Sequence, residues 1–530
     1  MTYSRRYSLL TSLLTLLAIT NGVEAQTAPE VPHLVVNIVI EQLRSDYLEA
    51  FSPLFGERGF KRLFSEGRVY TQAEYPFASP DRASAIACLM SGASPYENGI
   101  VSQTWINRQT LQPIFCVDDS QYEGCETKEK SSPTNLGVST ISDELKVSTE
   151  GHGIVYSVAP NRDAAVLLAG HAADGAFWLD DERGTWCSTS FYGEYPKWGT
   201  NYNTTSSSLA TRIEKIEYEP INELVSKYDY FVTGSTPKEA FKHKFKGNLK
   251  YRQFKASACV NEEVNNFVRM LMNSTLIGTD GVTDMLNVGY YAGNFDHQSV
   301  SQCPMELQDT YVRLDRDLGD LFAMLDKRVG KGHVLYVVTS TGETEPDDVA
   351  DLSKYRIPSG TFSINKAQLL LNMYLTAVYG EGQYVETTYR NQIFLNLKLI
   401  EDRNINLSEM LERCSDFLIQ LSGVRDVYTS ERLALGAWTP GISKLRNAYN
   451  PKCSGDILLQ ISPGWTLSNE NTGEKILSRE SYMTFPLFFL GSNVQSEKVV
   501  TSVTVDRVAP TLAKAMRIRA PNACAQAPLQ

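Results

Sequence analysis

Residues 305–339 read MELQDTYVRLDRDLGDLFAMLDKRVGKGHVLYVVT. Leu307, Tyr311, Leu314, Leu318, Leu321 and Leu325 recur every three or four residues, which puts them on one face of a helix. Gly330-Lys331-Gly332 stops that helix, and His333 to Thr339 is a short apolar run rich in β-branched residues. An amphipathic helix, a tight turn and an apolar strand, in that order, make one unit of an α/β sheet. Working outward, Val35 to Ile40 (VVNIVI) has the composition of a strand buried on both faces. Further strands are expected at Val69–Thr71, Gly153–Val158 and Phe485–Leu490, and helices at Asp46–Phe55, Ser84–Met90 and Thr511–Ile518. The expected fold class is α/β, with a mainly parallel central sheet flanked by helices.

Two stretches differ in texture. Residues 190–280 are rich in Tyr, Lys, Asn and Ser and read as a first insertion; residues 350–460, with the strand-like Gln392–Leu397, read as a second. The core is then expected over 26–189, 281–349 and 461–530, with the insertions as caps. With 42% hydrophobic and 21% charged residues the chain has a soluble globular balance. A formal net charge of -11 argues against a uniformly basic face for nucleic acid. Residues 1–25 carry Arg5 and Arg6, an apolar stretch from Leu9 to Ile19 and the small-residue pattern Val23-Glu24-Ala25, the features of a cleavable export signal. No later run is long enough to cross a bilayer. Export to an oxidising compartment makes a few disulfides reasonable among the nine cysteines, with Cys116–Cys125 the best local pair and Cys88 a buried thiol.

An ordered set of segments resembles the alkaline phosphatase superfamily. They are Val39-Ile40-Glu41-Gln42-Leu43-Arg44-Ser45-Asp46-Tyr47-Leu48, Gly59-Phe60-Lys61-Arg62-Leu63 and Ser91 to Ile100, then Ala169-Gly170-His171 and Glu306-Leu307-Gln308-Asp309-Thr310-Tyr311. Ile357 to Gly360 and Asn391 to Asn396 extend the likeness, which spans about 31 to 515. More narrowly, the chain resembles the type I phosphodiesterase/nucleotide pyrophosphatase branch and the phosphate-irrepressible periplasmic phosphatases of Bacteroidota. The resemblance implies an alkaline phosphatase-like core. It also implies two Zn²⁺ ions that activate a Thr or Ser nucleophile and take up the charge of the leaving oxygen.

Carried over residue by residue, that implied site is altered. The first metal-binding Asp falls at Glu41, which keeps a carboxylate, and the nucleophile falls at Arg82, which has no nucleophilic oxygen. Ser79 and Ser84 are possible substitutes. The D-x-x-x-H pair falls at Asn294 and Gln298, the Asp-His pair at Ser340 and Thr341, and the final His at Lys475, a cation that would suit a place beside Glu41. The Lys and Arg that hold phosphate fall at Asn161 and Asp163. None of the six histidines follows His333, so the imidazoles of a zinc pair are missing. Asp296 and His297 do not reproduce the ligand spacing. Glycines, prolines and apolar strands persist while ligands do not. The expected function is therefore a non-catalytic, exported binding or scaffold protein of the periplasm or outer envelope, with no cofactor and a protein partner. The alternative is a phosphomonoesterase or phosphodiesterase with a rebuilt site and zinc or another divalent cation, held by Glu41, Asp296 or Glu343.

Overall fold

The computed structural model describes residues 30–227, 240–343, 358–436, 440–478 and 484–529. The expected leader lies outside the described residues, as do Ile357 and the end of the expected core segment 281–349.

Strand β1 spans Leu34–Glu41, and every one of its residues is buried. Leu34, Val36, Ile38 and Ile40 enter the core on one face, while Val35 and Val39 enter the core on the other. That is the two-residue alternation of a strand, here apolar on both sides because each face is covered by helices. Along the chain follow β2 (Arg68–Glu74), α1 (Arg82–Ser91), β3 (Val155–Val158), α2 (Arg162–Ala169), β4 (Gly175–Leu179) and β5 (Trp186–Thr189). Then come α3 (Cys259–Ser274), β6 (Asp284–Tyr291), α4 (Pro304–Val329), β7 (Val334–Ser340), and late in the chain β8 (Phe485–Gly491) and α5 (Val508–Met516). Among the described residues the main sheet has eleven strands. Its centre, in the order β7, β1, β6, β3, β4, is parallel, and β8 runs antiparallel between β7 and β2. The fold is α/β as expected, with a mixed sheet whose parallel part is central.

Helix α4 buries the expected stripe, Leu307, Tyr311, Leu314, Leu318, Leu321 and Leu325. Its acidic residues hold loops rather than ligands. Asp315 accepts the backbone N–H groups of Gly56 and Phe60, both at 2.7 Å. Asp309 accepts that of Ile221 at 2.7 Å and pairs with Arg313. Gly59 lies so close to Asp315 that a Cβ there would sit 2.1 Å from the Asp315 carbonyl oxygen. The glycine is what lets this loop approach the helix.

Two smaller sheets, Val385–Tyr389 with Gln392–Leu395, Ile457–Ile461 and Val424–Thr429, and Gly360–Ser363 with Trp465–Asn469 and Glu474–Leu477, share a separate apolar cluster. The strand expected over 392–397 stops at Leu395 because the Asn396 side chain accepts the Leu399 N–H and starts a helix. The expected disulfides are absent: all nine cysteines are free thiols. Cys116 is buried in the turn after the short strand Pro113–Phe115, whereas Cys125 sits on the edge strand that pairs with β5. Cys88 is the buried thiol anticipated, and burial pushes its ionisation well up.

Candidate active site

Ligands of open α/β sheets bind beyond the carboxyl ends of the parallel strands. At that end Glu41 closes β1, Ser340 closes β7 and the first turns of α1 and α2 begin. Asp81 caps α1, accepting the Ser84 N–H at 3.0 Å, while Ser84 returns its hydroxyl to the Asp81 N–H at 3.0 Å. This capping box throws Arg82, the first helical residue, inward. Its Nη1 donates to Glu41 Oε1 at 2.7 Å, and its Nε donates to Asp163 Oδ1 and Oδ2 at 3.1 and 3.0 Å. Asn161 Nδ2 donates to the second Glu41 oxygen at 3.1 Å, and Gln103 Nε2 to Asp163 at 3.2 Å. Burial alone would lower the Arg82 guanidinium, but the charges of Asp163 and Glu41 outweigh it and hold it well above its usual value. Four of the positions singled out from the sequence thus converge: Glu41, Arg82, Asn161 and Asp163. An arginine stands between two carboxylates, one from each neighbouring element.

Of the other expected ligand positions, Ser340 and Thr341 lie beside Glu41 on the next strand end, but their hydroxyls, like the Asn294 amide, bond to backbone. Asn294 Nδ2 donates to the Gln298 and Ser299 carbonyls, both at 3.0 Å, while its Oδ1 accepts the Phe295 N–H. Gln298 closes the same turn, 3.4 Å from the Asp296 carbonyl. Ser340 Oγ donates to the Leu43 carbonyl at 2.8 Å, and Thr341 Oγ1 accepts the Gln42 N–H at 3.3 Å. Lys475 lies exposed on the strand Glu474–Leu477 of the three-stranded sheet, paired across from Ser468. Its expected place beside Glu41 is taken by Arg82, which reaches it over one helix start instead of from a distant hairpin. His171, in the Ala-Gly-His segment, is held by Asp143 at 2.9 Å and faces the Leu136 carbonyl at 3.0 Å. His243 pairs with Glu306 at 2.7 Å and stacks on Phe295.

The amide and hydroxyl side chains of Asn294, Ser340 and Thr341 bond to backbone, which leaves carboxylates as the charged donors of this group. Asp81, Glu41, Asp163 and Glu343 surround the single guanidinium of Arg82. Glu343 follows β7, and its Oε2 is shut off from solvent with no hydrogen-bond partner among the described residues. Burial, then the charges of Glu41 and Asp81, push the Glu343 carboxyl up to about 8, with Arg82 opposing. Oxygen donors of this type suit Mg²⁺, Ca²⁺ or Mn²⁺ in chemistry, but among the described residues no three of these carboxylates bring ligand atoms within 4.8 Å of one another. Of the two candidate serines, Ser84 is consumed by the cap. Ser79 is exposed, holds the left-handed backbone angle φ 51°, and lines a cavity of about 130 Å³ with Ser102, Trp105, Tyr389 and Tyr449.

The expectation of no cofactor is corrected at the opposite end of the sheet. Glu30, His33 and His333 offer three ligand atoms within 4.8 Å of one another. Sequence reading passed over them because Glu30 and His33 lie 300 residues from His333. The available signal was that each histidine directly precedes an apolar strand.

The chain matches the family described as type I phosphodiesterase/nucleotide pyrophosphatase over residues 35–484. It is 29% identical to the calcium-transporting ATPase of Myroides odoratus, covering 94% of both chains. It is 27% identical to the alkaline phosphatase PhoV of Synechococcus elongatus, covering 93% of this chain and 91% of the relative. The crystal structure of wild-type alkaline phosphatase PafA superposes with a TM-score of 0.80 at 23% identity, over 95% of this chain and 99% of that one, which establishes the shared fold. The expected reading as a non-catalytic scaffold is corrected by these findings: near-complete likeness to phosphatases, together with candidate metal donors, fits an enzyme of this fold better. The chain belongs to the type I phosphodiesterase/nucleotide pyrophosphatase family, within the alkaline phosphatase superfamily.

Proposed function

We propose that the chain is a phosphoric-ester hydrolase whose pocket has been rebuilt, with one hard divalent cation in place of the zinc pair. The observation that carries this reading is the orphaned Glu343 oxygen among four carboxylates and a single arginine. A divalent cation there would offset the charge of phosphoryl oxygens and of the leaving oxygen. Glu343 and Glu41 are the residues to hold it. Arg82 keeps its Nη2 without a partner among the described residues, aimed from a guanidinium already fixed by Glu41 and Asp163. That donor suits a phosphoryl oxygen, at no cost of ordering the side chain on binding. Ser79, three residues before Arg82 in the chain, is the candidate hydroxyl, and its left-handed backbone is the kind of local strain found at working sites. In net terms water adds to phosphorus, the ester P–O bond breaks, and the departing alkoxide takes up a proton.

Export is part of the same proposal and rests on residues 1–25. Among the described residues no helix is long and apolar enough to cross a membrane. The test is turnover of 4-nitrophenyl phosphate and bis(4-nitrophenyl) phosphate by purified protein, first stripped with chelator and then given Mg²⁺, Mn²⁺, Ca²⁺ or Zn²⁺ singly. Cation-dependent turnover that falls in Glu343→Gln supports the reading. Absence of turnover with every ion, or turnover indifferent to Glu343, overturns it.

A further inference from the structure

At the amino end of the parallel strands, His33 and His333 occupy equivalent places on neighbouring strands. Leu34 pairs in register with Val334, so the residues just before them are adjacent rungs of one ladder. The His33 N–H donates to the His333 carbonyl at 2.9 Å, and the His33 carbonyl accepts the Asp284 N–H at 2.9 Å. Parallel neighbours in register send their side chains to the same face of a sheet. The two imidazoles accordingly stack, with ring centres 4.4 Å apart and planes 19° from parallel. Glu30 reaches the same point from the preceding segment, its carboxylate 3.6 Å from His33 Nε2 and 3.9 Å from His333 Nδ1. Its backbone carbonyl is held by Asn493 Nδ2 at 2.7 Å, so the approach of Glu30 is anchored.

We propose that Glu30, His33 and His333 form a second metal site, for a divalent transition ion of the zinc type, that ties the segment before β1 to the start of β7. Two imidazoles and one carboxylate are a borderline-soft set, unlike the all-oxygen pocket at the other end. Donors of a tetrahedral ion at about 2.1 Å stand roughly 3.4 Å apart, close to the present separations. Stacked rings cannot both hold one ion in their planes. One half-exposed ring turns about its Cβ–Cγ bond on binding, and solvent fills the fourth position. β1 separates this point from Glu41 by roughly 25 Å at about 3.3 Å per residue, so the site takes no part in the pocket at the carboxyl end.

The test uses purified full-length protein and Co²⁺ as the probe. Visible absorption reports the coordination number and nitrogen donors of bound cobalt, and Zn²⁺ competition gives the affinity. The nitrogen-donor cobalt band and its affinity are expected to be the same in wild type and Glu343→Gln, whatever cobalt the oxygen donors at the other end take up. His333→Gln and Glu30→Gln, both on exposed or half-exposed side chains, are expected to lose tenfold or more in affinity with unchanged circular dichroism. Equal cobalt spectra and affinities in wild type, His33→Gln and His333→Gln overturn the proposal, as does cobalt binding that disappears only with Glu343→Gln.

Discussion

The two ends of the same strands carry charge in opposite ways. At the carboxyl end, carboxylates from β1, α1, α2 and the turn after β7 crowd one guanidinium, mostly out of reach of water. At the amino end, a carboxylate and two imidazoles meet in partial exposure. The buried cluster must satisfy its charges internally, because transfer of an unpaired ion from water costs several kcal/mol. The exposed one leaves that to solvent, so its geometry is loose until something binds. A buried site thus advertises itself as strain and orphaned atoms, while an exposed one does so only by proximity.

The sharpest way to break this contrast is Arg82→Ala. It strands Glu41 and Asp163 as uncompensated buried charges, and a loss of about 3–5 kcal/mol in folding stability is expected in urea unfolding. A loss under 1 kcal/mol would mean that water already reaches the cluster. Next in size is Ser79→Ala, expected to lower cation-dependent turnover by roughly a hundredfold while leaving the urea midpoint in place. Unchanged turnover would remove Ser79 from the reaction.

Glu343 sharpens the comparison through pH. Its carboxyl, pushed up to about 8, must release a proton before it holds a cation. Cation affinity should therefore fall by about tenfold per unit below pH 8, and the slope should vanish in Glu343→Gln, as read by calorimetry in two buffers of different ionisation heat. The stability sign is separate. A carboxyl raised in the folded state contributes fully at low pH, and its contribution is lost as pH rises through about 8, so cation-free Glu343→Gln should melt higher than wild type above that pH. The smallest effect belongs to Ser84→Ala, which removes half of a capping box: about 1 kcal/mol of stability, with turnover retained. Lost turnover there would return Ser84 to the list of nucleophiles.

Much of the scaffold was legible because it is written locally. The stripe on α4 and the continuous apolar run of β1 mark their elements directly, since burial on one face or two dictates a period. The end of the strand at Leu395 was not, because the Asn396 cap outweighs the apolar Leu397 that followed it. Within the site, the expected ligand positions could be counted along the chain only through the family resemblance. That Arg82 would fill the space between Glu41 and Asp163, and that Lys475 would not, depends on which elements meet. Cysteine count gave no guide to pairing: Cys116 and Cys125 are both free thiols, one in a turn and the other on an edge strand.

The order of apolar, glycine and family-like segments was enough, with no coordinates, to set the α/β architecture and the shortage of imidazoles for a zinc pair. These are properties of composition and short-range spacing. The three-dimensional structure decided which charges face each other. It brought Glu41, Arg82 and Asp163 into one bonded group, left a Glu343 oxygen unpaired, and set His33 against His333 from opposite ends of 300 residues. Pairing between parallel strands is non-local, and hydrogen bonds and Coulomb forces act over a few ångströms in space, whatever the distance along the chain.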